Sequence, residues 1–297
     1  MPKFLVLGSV SFFRYKGATH LPGDVVELPD SFLATKPDFL QPLLGSQEPV
    51  NMEAYLRKDR DYEPRPLMMV MAVRRIPEVQ KAFKKLTFLD KVFFKNYPAH
   101  EISAQMNEYI ADHGEGYTHF LISSDDITPS PANIHQLVDD VRTYDLPVVA
   151  GLCNICHFDK QDKRGCLCGC CVDEKPHKFT NVTFSPVRLP LSRRSYDFVT
   201  REWALLHPSL FQIWFQGNAC GMIREGVIRQ LPLRSFNEGQ GGLMQDLAMA
   251  MDLAEHGIPQ FVDFRVTIRH YGTHHGRLLI GKEKKAVIFE PRKCEKQ

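Results

Sequence analysis

Two adjacent carboxylates, Asp125 and Asp126, directly follow the apolar run His119-Phe-Leu-Ile, within Ser123-Ser-Asp-Asp-Ile-Thr-Pro. In an open α/β sheet ligands gather beyond the carboxyl ends of the strands, so acids at that point are placed for chemistry. Two carboxylates repel a diphosphate unless a hard divalent cation bridges protein and phosphate, which is chemistry for Mn²⁺ or Mg²⁺. The same dipeptide also suits a helix cap or an Asx turn ahead of Pro129 and Pro131, and taken alone it leaves both roles open. A second cluster is sulfur. Cys153 and Cys156, then Cys166, Cys168, Cys170 and Cys171, supply enough thiolates for a tetrahedral structural Zn²⁺, with His157 or His177 as a substitute ligand. The tight Cys-x-Cys-x-Cys-Cys run is not a common zinc-ribbon spacing, and free thiols or a redox pair are the competing readings.

The elements that must position these groups follow from periodicity. Leu67-Met-Met-Val-Met-Ala-Val reads as a buried strand, Pro77 opens a helix to about residue 86, and Lys91-Val-Phe-Phe is the next strand. Ile102, Met106 and Ile110 mark a helical stripe closed by Gly114, and His119-Phe-Leu-Ile a third strand. A stripe at Ile134, Leu137, Val138 and Val141 precedes a fourth strand at Pro147-Val-Val-Ala-Gly. This alternation implies an α/β fold with a mostly parallel sheet covered by helices. Ahead of it, short strands separated by Gly and Pro turns, with a helical piece around 31–44, make a small β-rich N-terminal module. A proline-punctuated polar stretch over 46–66 suits a linker, so the boundaries are 1–60 for the module and 61–297 for the main domain, with a cysteine-rich insertion at about 153–200.

The bulk numbers restrict the function classes. Against 37 basic residues stand 35 acidic ones, a net charge of +2 that gives no global pull toward nucleic acid or anionic membrane. No apolar run reaches the roughly 18 residues that span a bilayer, and the start lacks a signal peptide's long apolar stretch. A cytoplasmic protein is the expectation.

Tyr117-Thr-His-Phe-Leu-Ile-Ser-Ser-Asp-Asp-Ile-Thr-Pro-Ser-Pro, a helix and Val148-Val-Ala-Gly together resemble the Asp-x-Asp region of GT-A-fold nucleotide-sugar glycosyltransferases. The resemblance implies that Asp126 is the direct metal ligand. Ser124 then stands where the family has its first aspartate, and Asp125 in the middle position. Phe215-Gln-Gly-Asn-Ala-Cys-Gly-Met-Ile looks like the family's acceptor-side loop, which carries Gly217, Asn218 and Cys220 into the site. Gln245-Asp246, opening an amphipathic helix stopped by Gly257, matches the family's acidic pair, with Asp246 as the catalytic base of an inverting member and Gln245 a departure. In Val262-Asp-Phe-Arg-Val-Thr-Ile-Arg-His the inward parity of Val262, Phe264, Val266 and Ile268 extends to His270, the family's remaining metal ligand; His274 and His275 are rivals. Arg269 and Arg277 suit a diphosphate, because guanidinium matches phosphate geometry.

The leading expectation is therefore a metal-dependent glycosyltransferase that moves a sugar from a nucleoside-diphosphate donor to a glycan, lipid, protein or nucleic-acid acceptor. One alternative is a catalytically degenerate, zinc-stabilised binding or viral structural protein. Another is a sugar-nucleotide nucleotidyltransferase, against which Val73-Arg-Arg-Ile-Pro counts, since it lacks a Gly-rich loop.

Overall fold

The computed structural model describes residues 3–6, 13–16, 18–20, 25–27, 40–42, 50–155, 179–184, 198–217, 220–235, 245–271, 277–278 and 284–293. Near the N-terminus lie β1 (Lys3–Val6), β2 (Phe13–Tyr15), β3 (Ala18–His20), β4 (Val25–Glu27) and β5 (Leu40–Pro42). β1 pairs with β4 and β5, and β2 with β3, all antiparallel. Leu40–Pro42 is thus strand where the sequence suggested helix. Pro37 and Pro42 bracket the segment, and a proline supplies no backbone donor for a helix interior. Residues 50–57, expected within a linker, are tied to the main domain. The Arg57 N–H donates to the Thr143 carbonyl at 3.0 Å, and the Tyr55 ring meets Phe261 edge-on at 5.0 Å.

The main domain begins with β6 (Pro66–Ala72), β7 (Arg74–Arg75), α1 (Pro77–Lys85), β8 (Asp90–Lys95) and α2 (Ala99–His113). Then come β9 (His119–Ser124), β10 (Ile127–Thr128), α3 (Pro131–Thr143) and β11 (Val148–Ile155). β12 (Phe179–Thr183), β13 (Phe198–Thr200), α4 (Arg201–Leu206), β14 (Leu210–Ile213) and β15 (Phe215–Gln216) follow. The chain ends with β16 (Gly221–Arg224), α5 (Glu225–Gln230), α6 (Gln245–Glu255), β17 (Gln260–His270), β18 (Arg277–Leu278) and β19 (Ala286–Glu290).

These strands form an α/β fold around one large sheet with the order β10-β17-β11-β16-β9-β6-β8-β19. The sheet is mixed, not mostly parallel. β6 runs parallel to β8 and β9, and β11 to β17, but β16 lies antiparallel between β9 and β11. The reason is local: β15 ends at the rim that the chain has already reached, and with no crossover helix to carry it back, the next strand runs downward. Alternation along β6 sends Met68 and Val70 to one face and Leu67 and Met69 to the other. The first face packs on α1 and α3, the second on α2, α5 and α6, so helices cover both sides. The cysteine-rich insertion starts and ends as sheet, because β12 pairs with the end of β11 and with β13 and β15.

Between Ala150 and Leu152 the pairing of β11 with β17 jumps, so that β17 bulges at Asp263 to Val266. Gly151 permits this, since a Cβ there would lie 2.6 Å from a Val266 methyl. The bulge brings Asp263 against Asp140 of α3. Both are buried, Arg265 binds Asp263 at 2.9 Å and Asp140 at 3.0 Å, and Gln136 donates to Asp140 at 3.1 Å. Burial first, then the charge and hydrogen bond of Asp263, raise the Asp140 carboxyl to about 8 despite Gln136 and Arg265. The folded chain therefore holds a proton that the unfolded chain has released, and stability declines from about pH 4 to about pH 8, by up to about 1.4 kcal/mol per pH unit. Asp140→Asn keeps a donor for Asp263 without the charge. Urea unfolding at pH 5, 6.5 and 8 is expected to show a flatter pH slope for that variant and a gain of about 1 kcal/mol or more at pH 8; equal slopes would contradict the shared proton.

Candidate functional site

β6 has its two parallel neighbours on opposite sides, reached through α1 and α2 in turn, so a crevice opens between the carboxyl ends of β6 and β9. Arg74 emerges from the first end and Asp125 and Asp126 from the second. Asp125 accepts the Arg74 backbone N–H and, at 3.0 Å, its Nη1. The same Nη1 lies 3.1 Å from Asp126 Oδ2, so one guanidinium spans both carboxylates. Asp126 also accepts the Ser124 hydroxyl, and its Oδ2 faces His270 Nε2 at 3.5 Å.

The two acids are almost fully buried, yet their environments separate them. Burial is the largest influence on Asp125 and raises its carboxyl to about 6, with Arg74 opposing. Burial pushes Asp126 upward too, but the hydrogen bond and charge of His270, then Arg74 and Ser124, outweigh it and hold the group below the ordinary carboxylate range. Near neutral pH the site keeps one firmly ionised carboxylate beside one that is easily protonated, a division of roles that acid–base sites use. Ser124, standing where the resemblance has aspartate, orients the ionised one.

His270 reaches the site because β10 pairs antiparallel with β17, setting Ile127 opposite His270. Its Nδ1 is buried with no partner among the described residues. The inward parity expected for His270 is the observed one. That parity sends Arg269 to the exposed face, where its guanidinium sits 4.7 Å from the Tyr271 ring. Arg74, not Arg269, is the arginine at the carboxylates. Asn218, His274, His275 and five cysteines of the insertion (Cys156, Cys166, Cys168, Cys170 and Cys171) lie outside the described residues.

Asp246 stands on the first turn of α6, whose start is anchored by Gln245 Nε2 donating to Ser103 Oγ at 3.1 Å. A Cβ on Gly217 would lie 3.6 Å from Asp246 Oδ2, an ordinary contact, and 3.3 Å from the Asn181 side chain, close enough that Asn181 would have to give slightly. Asn181, buried on β12, brackets the same place. Its Oδ1 accepts the Cys153 N–H at 2.8 Å, its Nδ2 donates to the Gly217 carbonyl at 2.9 Å, and its carbonyl accepts the Gly217 N–H at 3.0 Å. A lone asparagine in a short strand offered no periodic signal by which to find it.

Cys153, expected in a zinc cluster, belongs to β11 and is a buried free thiol. Burial raises its pKa most, followed by the charges of Asp126, Cys220 and Asp246. Cys220, also buried, takes a left-handed φ of 59° at the end of the Gly217 loop, and burial brings its thiol up to about 12.

Beside Arg74 and Asp125, a cavity of about 260 Å³ opens under α1 at the ends of β6 and β8. Phe83, Phe93 and Ile76 give it apolar walls, while Lys84 and Lys95 add positive charge. Asn96 also lines it. The Asn96 Nδ2 donates to the Lys284 carbonyl at 2.8 Å, which leaves its buried Oδ1 without a partner among the described residues. The combination suits a ligand with a flat apolar ring, a donor group and an anionic tail directed at Arg74.

No group of three His, Cys, Asp or Glu side chains able to hold a metal occurs among the described residues. No helix among them is long and apolar enough to cross a membrane. No protein-family model matches the sequence, and no curated protein matches it. Among solved structures, the crystal structure of A197 from STIV is similar with a TM-score of 0.44 and 10% identity, over 78% of this chain and 98% of that one. A likeness of that degree says nothing of function.

Asn181→Ala leaves the Cys153 N–H and the Gly217 carbonyl without their side-chain partners at a buried point. Urea denaturation is expected to show a loss of about 2 kcal/mol or more, and a change below about 0.5 kcal/mol would remove Asn181 as the brace of the Gly217 turn.

Proposed function

We propose that this chain is a metal-dependent glycosyltransferase of the GT-A type, using a nucleoside-diphosphate sugar as donor. One observation carries the reading: Asp126, in the turn after β9, and His270, at the end of β17, face each other at 3.5 Å at the carboxyl rim of the sheet. Asp246, on the first turn of α6, stands beside the Gly217 turn at the same rim.

The donor set fits a hard cation. Mg²⁺ and Mn²⁺ take one or two carboxylate or imidazole ligands from protein and fill the remaining positions with phosphate oxygens and water, so a cluster of three side chains is not required. Asp126 and His270 would hold it, and when bound it supplies positive charge against the diphosphate as that group leaves. The chain's own residues perform the rest. The cavity under α1 takes the nucleoside, with Phe83 and Phe93 against the ring and Asn96 Oδ1 accepting a donor from it. Arg74, Lys84 and Lys95 face the phosphates. Gly217, having no Cβ, lets the sugar lie against backbone beside Asp246. Asp246 accepts the acceptor hydroxyl proton as the new glycosidic bond forms, which is the part a general base plays in an inverting transfer.

A second reading, a degenerate binding protein that kept the fold, is favoured by one feature: Arg74 already bridges both carboxylates without any metal ion. A panel of nucleoside-diphosphate sugars, titrated calorimetrically with and without Mn²⁺, separates the two. At least one donor is expected to bind with Mn²⁺ and to lose that dependence in Asp126→Ala. Asp246→Asn is expected to bind the donor within about threefold of wild type while slowing transfer or donor hydrolysis by about 10²–10⁴-fold. Binding of no donor under either condition would favour the degenerate scaffold and end the transferase reading.

A further inference from the structure

We propose that Arg74 is an exchangeable internal cation. It bridges Asp125 and Asp126 in the ligand-free protein and passes to the diphosphate when a divalent cation takes Asp126. This rests on the reading of Asp126 as a cation ligand.

Three features of the site lead to it. First, two neighbouring buried carboxylates need a counter-charge, and the Arg74 Nη1 supplies it to both at 3.0 and 3.1 Å. Second, the oxygen of Asp126 nearest Arg74 is Oδ2, the same atom that faces His270 Nε2 at 3.5 Å. A divalent cation ligated by Asp126 Oδ2 and His270 would bring two positive centres to within about 4 Å of each other on one oxygen, where like charges repel strongly in a dry site. Guanidinium and cation therefore exclude each other.

Third, the guanidinium has somewhere to go. Arg74 lines the cavity together with Arg75, Lys84 and Lys95, against the carboxylates of Asp125 and Glu290, an excess of positive charge that favours phosphate. Its Nε is buried without a partner among the described residues, so its present position leaves a donor unused. Departure of the side chain does not release Asp125, because the Arg74 backbone N–H stays bonded to that carboxylate. The backbone keeps the acid in place while the side chain changes partner. Cation and diphosphate then bind with positive coupling: each stabilises the arrangement that the other needs.

The probes are Mn²⁺ alone, read by the electron paramagnetic resonance signal of the free ion, and inorganic pyrophosphate. Arg74→Met keeps the apolar stem and removes the charge. It is expected to bind Mn²⁺ about 10-fold more tightly than wild type without pyrophosphate, and to bind pyrophosphate about 10-fold more weakly with Mn²⁺ present, a coupling within the usual range. Arg74→Lys keeps a charge but loses the planar fork. It is expected to fall between the two for Mn²⁺ and within about threefold of wild type for pyrophosphate, which guards against a misfolded methionine variant. Unchanged or weaker Mn²⁺ binding in Arg74→Met, with binding still lost in Asp126→Ala, overturns the exchange alone. Mn²⁺ affinity unaffected by Asp126→Ala, or no Mn²⁺ bound by any of the proteins, overturns the reading on which the exchange rests.

Discussion

Two carboxylates in adjacent positions, both almost fully removed from water at the end of β9, impose the constraint around which the site is arranged. Two buried like charges are costly unless each finds a partner of opposite charge or a hydrogen-bond donor, and loss of a partner leaves a charge uncompensated. The chain answers with contributions from three separate strands. β7, just past the end of β6, delivers Arg74, β9 and the turn after it deliver Ser124 and the two acids, and β17 delivers His270. The parallel register of β6 with β9 fixes the first contact, and the antiparallel pairing of β10 with β17 fixes the last.

The mixed sheet is what allows Asp246 to join this centre. Because β16 descends from the rim instead of starting at the foot of the sheet, the Gly217 turn that precedes it stays at the carboxyl ends of the strands. Asn181 fastens that turn to β11 and β12, and α6 then places Asp246 beside it. Cys153, a buried thiol on β11, lies next to the Asn181 side chain that fastens the turn.

Much of the scaffold was legible in the sequence because its signals are periodic. The apolar runs that became β6, β8, β9 and β11 and the helical stripes of α2 and α3 depend only on which side chains face the core. The same parity carried His270 inward. Arg74 was not legible, since its partners lie about fifty residues downstream and nothing local marks an arginine after a strand as paired. The direction of β16 was hidden for a related reason: periodicity reports burial, not the neighbour against which a strand pairs. Arg269 shows the cost of arguing from residue type without parity, because the alternation that turned His270 inward also turned Arg269 out. The place of Cys153 in a core strand was not legible either, since cysteine spacing carries no strand parity.

Everything in the functional account converges on the point between Asp126 and His270. Crystals grown with Mn²⁺ and a nucleoside diphosphate, measured at the manganese absorption edge, test that point most directly. The account predicts an anomalous peak bound by Asp126 and His270, phosphate oxygens completing the shell, and the Arg74 guanidinium turned from Asp126 to the diphosphate. A map with no peak there, and with Arg74 still spanning both carboxylates beside bound nucleotide, would contradict it.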